Sequence, residues 1–222
     1  MRVIEYAIID YVRNGKTNPS DYLSYIGEFT KGANRAKKTL GHLLALVNKN
    51  AHLLKILTSK TNGNFESLPP KDRKVIIICL FALTFPITYD MLQAFSVGFK
   101  VQEIISKRVI REKMGAIYGS NRSMHIGVDE TMPLILDVGL LERVKTGLFC
   151  KSPKLKISIQ LAAEIVIYTD IVLSSSKTVL IEDLVSNPWY LFFDISTFAD
   201  SKFNIILSTK EVSLGKGYLS VK

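Results

Sequence analysis

The sequence feature that most constrains the fold is an apolar run of nine residues, from Val75 to Leu83. A segment that is apolar on every side belongs inside a core, and this one is too short to cross a bilayer, which needs about 20 apolar residues. Periodicity alone does not separate a buried helix from a buried strand. Pro69 and Pro70 before the run and Pro86 just after it favour a helix. We therefore predict a central helix with other helices packed around it.

Helical spacing of apolar residues predicts further helices on both sides of this run. The predicted elements are a helix or strand over 3–12, a helix opened by Ser20-Asp21, a long helix over 34–59 with an interruption at 48–50 as the alternative, a helix capped by Thr88-Tyr89-Asp90, a basic helix over 101–118, a loop over 119–123, a short helix over 127–137 and an apolar helix over 157–173. Gly139 follows the 127–137 helix and is a natural left-handed cap.

Two hairpins are predicted in the remaining sequence. The first alternates over 140–144, turns at Lys145-Thr146-Gly147 and returns over 148–150, which with the preceding helix outlines a winged helix. The second pairs 203–208 with 218–221 and turns at Gly215-Lys216-Gly217. We predict a mainly α protein, with a multi-helix bundle and winged-helix-like hairpin in residues 1–156 and a small C-terminal α+β appendage in residues 157–222.

The charge of the chain is unevenly distributed. The formal net charge is +9, of which residues 1–156 contribute +11 and residues 157–222 contribute −2. Such asymmetry suggests that the first part meets a polyanion, while the second packs or meets protein. A basic surface that serves only solubility is the alternative interpretation.

Basic residues in three clusters are the candidates for nucleic-acid binding. Clusters of this kind attract phosphate backbones through counterion release, and arginine suits bidentate phosphate contacts. The candidates are Lys31, Arg35, Lys37 and Lys38 in the first cluster; Lys107, Arg108, Arg111, Lys113 and Arg122 in the second; and Arg143, Lys145 and Lys151 in the third.

Acidic residues occupy the segment that would be the recognition helix. It carries Asp129, Glu130 and Asp137, whereas a helix in the major groove normally offers Arg, Lys, Asn or Gln to base edges. We interpret Asp129 and Glu130 as helix-start charges favoured by the macrodipole. Backbone contacts from the neighbouring basic elements are therefore favoured over base reading by this helix.

The patterns of familiar catalytic and cofactor sites are absent from the sequence. Gly15-Lys16-Thr17 resembles the end of a phosphate-binding loop, but Asp10 stands where that loop needs a glycine. The three histidines and two cysteines have no metal-ligand spacing, and no G-x-S-x-G segment occurs. We expect no cofactor, no metal and no enzymatic activity. The two cysteines and the lack of an apolar signal segment after Met1 lead us to expect a cytoplasmic protein.

Two stretches of the sequence resemble the BrxA family, whose small helical proteins are encoded with bacteriophage-exclusion (BREX) defence systems. The first runs from Leu68-Pro69-Pro70 through the apolar run to Phe85-Pro86 and Asp90, and the second is Val138-Gly139-Leu140-Leu141 at the end of a helix. The resemblance covers roughly residues 20–155. It implies an all-helical core similar to the NusB fold and a non-enzymatic DNA-binding role in phage defence. The resemblance assigns no catalytic residue to this chain.

The favoured function is therefore binding of duplex DNA through its phosphates, as an accessory protein of a defence complex that includes other defence proteins. A winged-helix transcriptional regulator is one alternative, and it would need a dimer and a preferred operator. A protein–protein scaffold that uses the apolar 157–193 region as its interface is another.

Overall fold

The computed structural model describes residues 1–184, 186–198, 202–210 and 217–222. The chain divides into two compact units, Met1–Arg73 and Lys74–Lys222. Helices dominate and the sheets are small, so the predicted mainly α class with a small C-terminal α+β part is confirmed. The boundary predicted after residue 156 lies inside the second unit.

The first unit is built from amphipathic helices around a core that includes Leu46, Val47 and Leu54. Its helices are α1 (Arg2–Asn14), α2 (Pro19–Phe29), α3 (Ala33–Lys49) and α4 (Ala51–Thr61). The long helix predicted over 34–59 is broken at Asn50, as the alternative interpretation had it. The buried side-chain amide of Asn50 donates to the carbonyl oxygen of Leu46 at 2.8 Å, a local bond that competes with the regular helix.

The apolar run forms α5 (Pro70–Thr84), which confirms the predicted central helix. Every side chain from Val75 to Leu80 is fully buried, as expected for a helix that is apolar all round. Pro86 lies two residues beyond the end of α5 and begins the turn into the next helix. The boundary between the two units falls within α5, between Arg73 and Lys74.

The second unit combines helices with short strands. Its elements are α6 (Ile87–Phe99), β1 (Ile104–Ser106), α7 (Lys107–Tyr118), α8 (Arg122–Val138), β2 (Leu141–Lys145), β3 (Leu148–Lys151), β4 (Leu155–Lys156), α9 (Gln160–Leu173), β5 (Thr178–Leu180), β6 (Phe193–Asp194), β7 (Leu207–Lys210) and β8 (Tyr218–Val221). Short 3₁₀ turns lie between the later strands.

Two helix boundaries predicted in this unit are wrong. The basic helix predicted over 101–118 begins at Lys107, because Ile104 to Ser106 form a strand and the Ser106 side chain caps α7 by accepting from the Val109 N–H. The short helix predicted over 127–137 begins at Arg122, because the Asn121 side chain accepts from the Met124 N–H at 2.9 Å. The loop predicted over 119–123 is correspondingly shorter.

The apolar α9 lies in the core of the second unit and is hydrogen-bonded to α6. The Tyr89 hydroxyl of α6 donates to Asp170 of α9 at 2.7 Å, and the rings of Tyr89 and Trp189 lie 5.0 Å apart. The Trp189 indole N–H donates to the Val166 carbonyl at 3.0 Å. These contacts explain why the residues after 156 belong to the same compact unit as α6.

Among the described residues, the C-terminal strands pair antiparallel in the order β5-β8-β7. The predicted second hairpin is present as β7 and β8, with Leu207 opposite Val221. The first of its strands begins at Leu207 rather than at residue 203, because the backbone N–H groups of residues 204–206 donate to the Glu164 carboxylate. Most of the predicted turn at 215–217 lies outside the described residues.

Candidate nucleic-acid interface

Residues 87–151 form a winged-helix-like module within the second unit. The elements follow the order α6, β1, α7, α8, β2, β3. Within the described part of the chain, the three strands pair antiparallel in the order β1-β3-β2. Ile105 and Arg143 both lie opposite Phe149. The hairpin predicted from the sequence is therefore confirmed, and β1 adds a strand that the sequence analysis assigned to a helix. We call the β2–β3 hairpin the wing.

The start of α7 is fixed against the turn of the wing. The backbone N–H of Lys107 donates to the carbonyl oxygen of Gly147 at 2.7 Å. Gly147 has φ 75°, a left-handed conformation that suits glycine in a tight turn. This bond brings the second and third basic clusters onto adjoining elements, because Lys107 and Arg108 open α7 while Lys145 ends β2.

Asp129 of α8 holds two of the α7 cations. The Lys107 ammonium lies 2.6 Å from one Asp129 carboxylate oxygen, and an Arg111 guanidinium nitrogen donates to both oxygens at 2.7 Å. Desolvation favours a higher pKa for Asp129, but the hydrogen bonds and charges of Lys107 and Arg111 outweigh it and lower the pKa. Two predicted phosphate-binding residues are thus already engaged by a carboxylate.

The position of Asp129 corrects the interpretation that it is a helix-start charge. Since α8 begins at Arg122, Asp129 lies two turns inside the helix. The helix macrodipole favours a negative charge only within the first turn, so it does not account for Asp129. Its role is the contact with Lys107 and Arg111. A contact between one carboxylate and two cations on another helix leaves no local signal in the sequence. The earlier start of α8, however, could have been inferred from Asn121, which is a preferred capping residue.

The outward side of α8 is poor in groups that could bind phosphate. Its exposed residues at helical spacing are Arg122, Ile126, Asp129, Glu130, Pro133 and Asp137. Pro133 has no N–H, so the Asp129 carbonyl cannot receive the bond that residue 133 would normally donate. Beyond Arg122, this side of the helix therefore presents mainly acceptors and apolar surface, as the sequence indicated.

Exposed cations of the module lie at the end of α6, on α7, at the start of α8 and on the wing. Arg108 pairs with Glu112 one turn away at 3.7 Å, with 85% of the arginine side chain exposed, and such pairs hold a cation only weakly. The Arg143 guanidinium lies 6.0 Å from the Phe149 ring centre. Those that form no ion pair with any described residue are Lys100, Lys113, Arg122, Arg143, Lys145 and Lys151.

The first basic cluster belongs to the other unit. Lys31 precedes α3, and Arg35, Lys37 and Lys38 are exposed on its first two turns on either side of the buried Ala36. This cluster is a surface of the Met1–Arg73 unit and the other two are surfaces of the Lys74–Lys222 unit.

Two buried carboxylates on α9 are structural features that the sequence did not predict. Glu164 receives backbone N–H donors from residues 204–207 at 2.5–3.0 Å. Asp170 receives the hydroxyls of Tyr89 and Tyr190 and the Asn187 amide at 2.7–3.0 Å. Burial raises the pKa of Asp170, while those hydrogen bonds act against the rise. The available signal was two acids within an otherwise strongly apolar helix.

Other chemistry in the described residues is sparse. No group of three or more His, Cys, Asp and Glu side chains in the described ranges is placed to hold a metal ion. Burial raises the pKa of the Cys79 thiol to about 12. A small cavity in the second unit is walled mostly by apolar side chains such as Leu184 and Phe203, with Lys154 and Asp194 among its polar members.

No single helix in the described part of the chain is both long enough and apolar enough to span a membrane. The helices α5 and α6 reach that length and composition only as a pair, and the pair is bent by 113°.

Comparison with known proteins finds no matching family model, no matching curated protein and no matching solved structure. The likenesses to the BrxA family and to the NusB fold therefore stay predictions.

Proposed function

We propose that this chain is a non-enzymatic DNA-binding protein that contacts the phosphate backbone of duplex DNA through its winged-helix-like module. The observation that carries the proposal is the set of exposed cations on adjoining elements of that module, joined by the bond between the Lys107 N–H and the Gly147 carbonyl. Positive side chains clustered on one module supply sequence-independent affinity for a polyanion.

The wing is the first element that we expect to contact phosphate. Arg143, Lys145 and Lys151 are exposed and form no ion pair with described carboxylates. The hairpin is stiffened by its three-strand pairing and by the hydrogen bond to the Gly147 carbonyl, so less conformational freedom is lost on binding. Arg108 and Lys113 on α7 and Arg122 at the start of α8 extend the same type of surface.

Titration of a labelled duplex at two salt concentrations tests the proposal. The double variant Arg143→Glu, Lys145→Glu should lower affinity at low salt by at least about tenfold. It should also reduce the slope of log affinity against log salt by about 1–2, since each lost phosphate contact removes about 0.9 from the slope. Wild-type protein that fails to bind at low salt, or binds with no salt dependence, would reject the proposal.

The matched control changes two exposed lysines outside the module. Lys16→Glu with Lys60→Glu alters the net charge by the same amount on the Met1–Arg73 unit. We expect this control to retain most of the affinity and the wild-type salt slope. An equal loss in both double variants would mean that only the total charge matters and that the module has no special part.

A winged-helix transcriptional regulator is the second candidate, favoured by the same order of helices and strands. The outward side of α8 weighs against it, because Asp129, Glu130 and Asp137 offer acceptors where base reading usually needs donors. Competition with unrelated duplexes separates the two candidates. If the protein binds only the backbone, every unlabelled competitor should displace the labelled duplex equally well. If it is a regulator bound to its operator, only a competitor that contains the operator should displace it.

The place in phage defence is supported by the sequence resemblance to the BrxA family. In that role the chain acts as an accessory of a larger defence complex and supplies DNA contacts rather than chemistry. Deleting the gene from a phage-resistant host should then reduce resistance, and complementation with the Arg143→Glu, Lys145→Glu variant should not restore it. Full restoration by that variant would separate the defence role from DNA binding.

A further inference from the structure

We infer that Lys107 and Arg111 form a phosphate site that is occupied by the carboxylate of Asp129 when nucleic acid is absent. The inference rests on the proposed function, since it specifies how one part of the same module meets the phosphodiester backbone. Asp129 then acts as an internal competitor that limits how strongly the module binds nucleic acid.

The geometry of the three side chains supports this assignment. Lys107 and Arg111 are one turn apart on α7, and both lie within 2.7 Å of Asp129 on α8. A carboxylate and a phosphodiester each present two acceptor oxygens that share one negative charge. An ammonium and a guanidinium can therefore bind either group with the same donors.

The cations keep donor capacity while Asp129 holds them. Only one terminal guanidinium nitrogen of Arg111 contacts Asp129, which leaves the N–H donors of the other terminal nitrogen for a further acceptor. Lys107 has further N–H donors beyond the one directed at Asp129. The three groups carry a net charge of +1, so an anion is still attracted to them.

The contact is exposed enough to open. The side-chain exposure is 44% for Asp129, 30% for Lys107 and 36% for Arg111. Ion pairs of this exposure contribute little to stability and weaken with salt. A short aspartate side chain can also change rotamer without movement of its helix. A phosphate that arrives at the wing turn beside Lys107 can therefore replace the carboxylate.

The test compares two variants with the same change in charge. Asp129→Asn removes the competitor, whereas Glu130→Gln removes one negative charge from the neighbouring position on α8. At low salt, Asp129→Asn should bind a labelled duplex of mixed sequence about tenfold more tightly than Glu130→Gln does. The slope of log affinity against log salt should be similar for the two variants, because the same phosphate is contacted in both complexes. Equal affinities for the two variants would overturn the inference.

A second substitution assigns the gain to the site. Lys107→Gln introduced into Asp129→Asn should remove most of the added affinity, because the freed cation is what binds phosphate. If the gain survives without Lys107, the inference is wrong.

The wild-type protein gives a readout that does not depend on the folding of a variant. The side-chain Nε–Hε resonance of Arg111 should shift when duplex is added, because the guanidinium exchanges carboxylate for phosphate. An unshifted Arg111 resonance in a sample saturated with duplex would overturn the inference while leaving the proposed function intact. Failure of wild-type protein and both single variants to bind duplex at low salt would instead reject the proposed function, and the inference with it.

Discussion

Glu164 organises the stretch of backbone that leads into β7. Its fully buried carboxylate accepts the N–H groups of residues 204–207, and the Gln160 side chain adds a further donor at 2.8 Å. Hydrogen bonds to a carboxylate are stronger than those between neutral groups. One α9 side chain therefore replaces the strand partners that these amides would otherwise need.

Substitution of Glu164 by Gln should destabilise the second unit by roughly 2–5 kcal/mol. The new amide group would face backbone donors and leave about two of them unpaired, at about 1–3 kcal/mol each. Denaturant unfolding measures the loss, and amide hydrogen exchange should show faster exchange at residues 204–207. Glu142→Gln, an exposed carboxylate on β2, is the control and should change stability by about 0.5 kcal/mol or less. Unchanged protection of those four amides would contradict the role given to Glu164.

Asp170 makes a pH-dependent contribution with a definite sign. Because burial raises its pKa in the folded protein, the folded state binds the proton more tightly than the unfolded chain does. Its contribution to stability is therefore complete below the unfolded pKa, about 3.9, and is lost as the pH rises through the folded pKa. The free energy of unfolding of the wild type, relative to Asp170→Asn, should increase as the pH falls toward about 4. Urea unfolding of both proteins across the acidic range measures this difference; a difference that stays constant, or that moves toward the variant as the pH falls, would contradict the prediction.

The helix α8 combines a side-chain cap, an internal proline and a glycine end. Asn121 caps its start, Pro133 removes one internal bond, and Gly139 ends it with φ 89°. The sequence analysis found the glycine end because that signal is local and specific. It missed the start because Gly119 to Ser123 have the composition of a loop, whereas the cap depends on which side chain turns back to which N–H.

Pro133→Ala should stabilise the protein by about 1–3 kcal/mol. Alanine restores the N–H donor to the Asp129 carbonyl and removes a ring that costs up to about 3 kcal/mol in a helix interior, less the gain in unfolded-chain entropy. Pro133 is exposed, so the substitution leaves no buried cavity. Thermal or denaturant unfolding gives the sign. A loss of stability would mean that the packing of α8 requires the proline.

Short strands were the elements least accessible to sequence reasoning. The wing was predicted because alternation, a Lys-Thr-Gly turn and a return strand are all local signals. β1 was not predicted, because its three residues take their strand structure from pairing with β3. In the sequence they fit the pattern of the helix that follows. Segments of this length take their structure from distant partners rather than from their own propensity.

At the scale of the whole molecule, sequence reasoning recovered the mainly α class, while the two compact units meet at Arg73 and Lys74. Apolar content and periodicity are enough to indicate a mainly α protein. The grouping of α6 with the C-terminal residues depends on long-range contacts such as that between Tyr89 and Asp170, which no local pattern encodes. The candidate interface was found as charge clusters, whereas the engagement of Lys107 and Arg111 by Asp129 required the packing of α7 on α8.

The continuity of α5 has a practical consequence for dissecting the protein. Cleaving the chain at the division between the units would cut α5 within its first turn, separating Pro70 and Asp72 from the apolar residues that follow. The resulting C-terminal fragment would begin with an apolar helical segment that lacks its N-terminal cap, and such a segment is prone to aggregate. A recombinant fragment of the second unit should therefore start at Leu68, ahead of the helix.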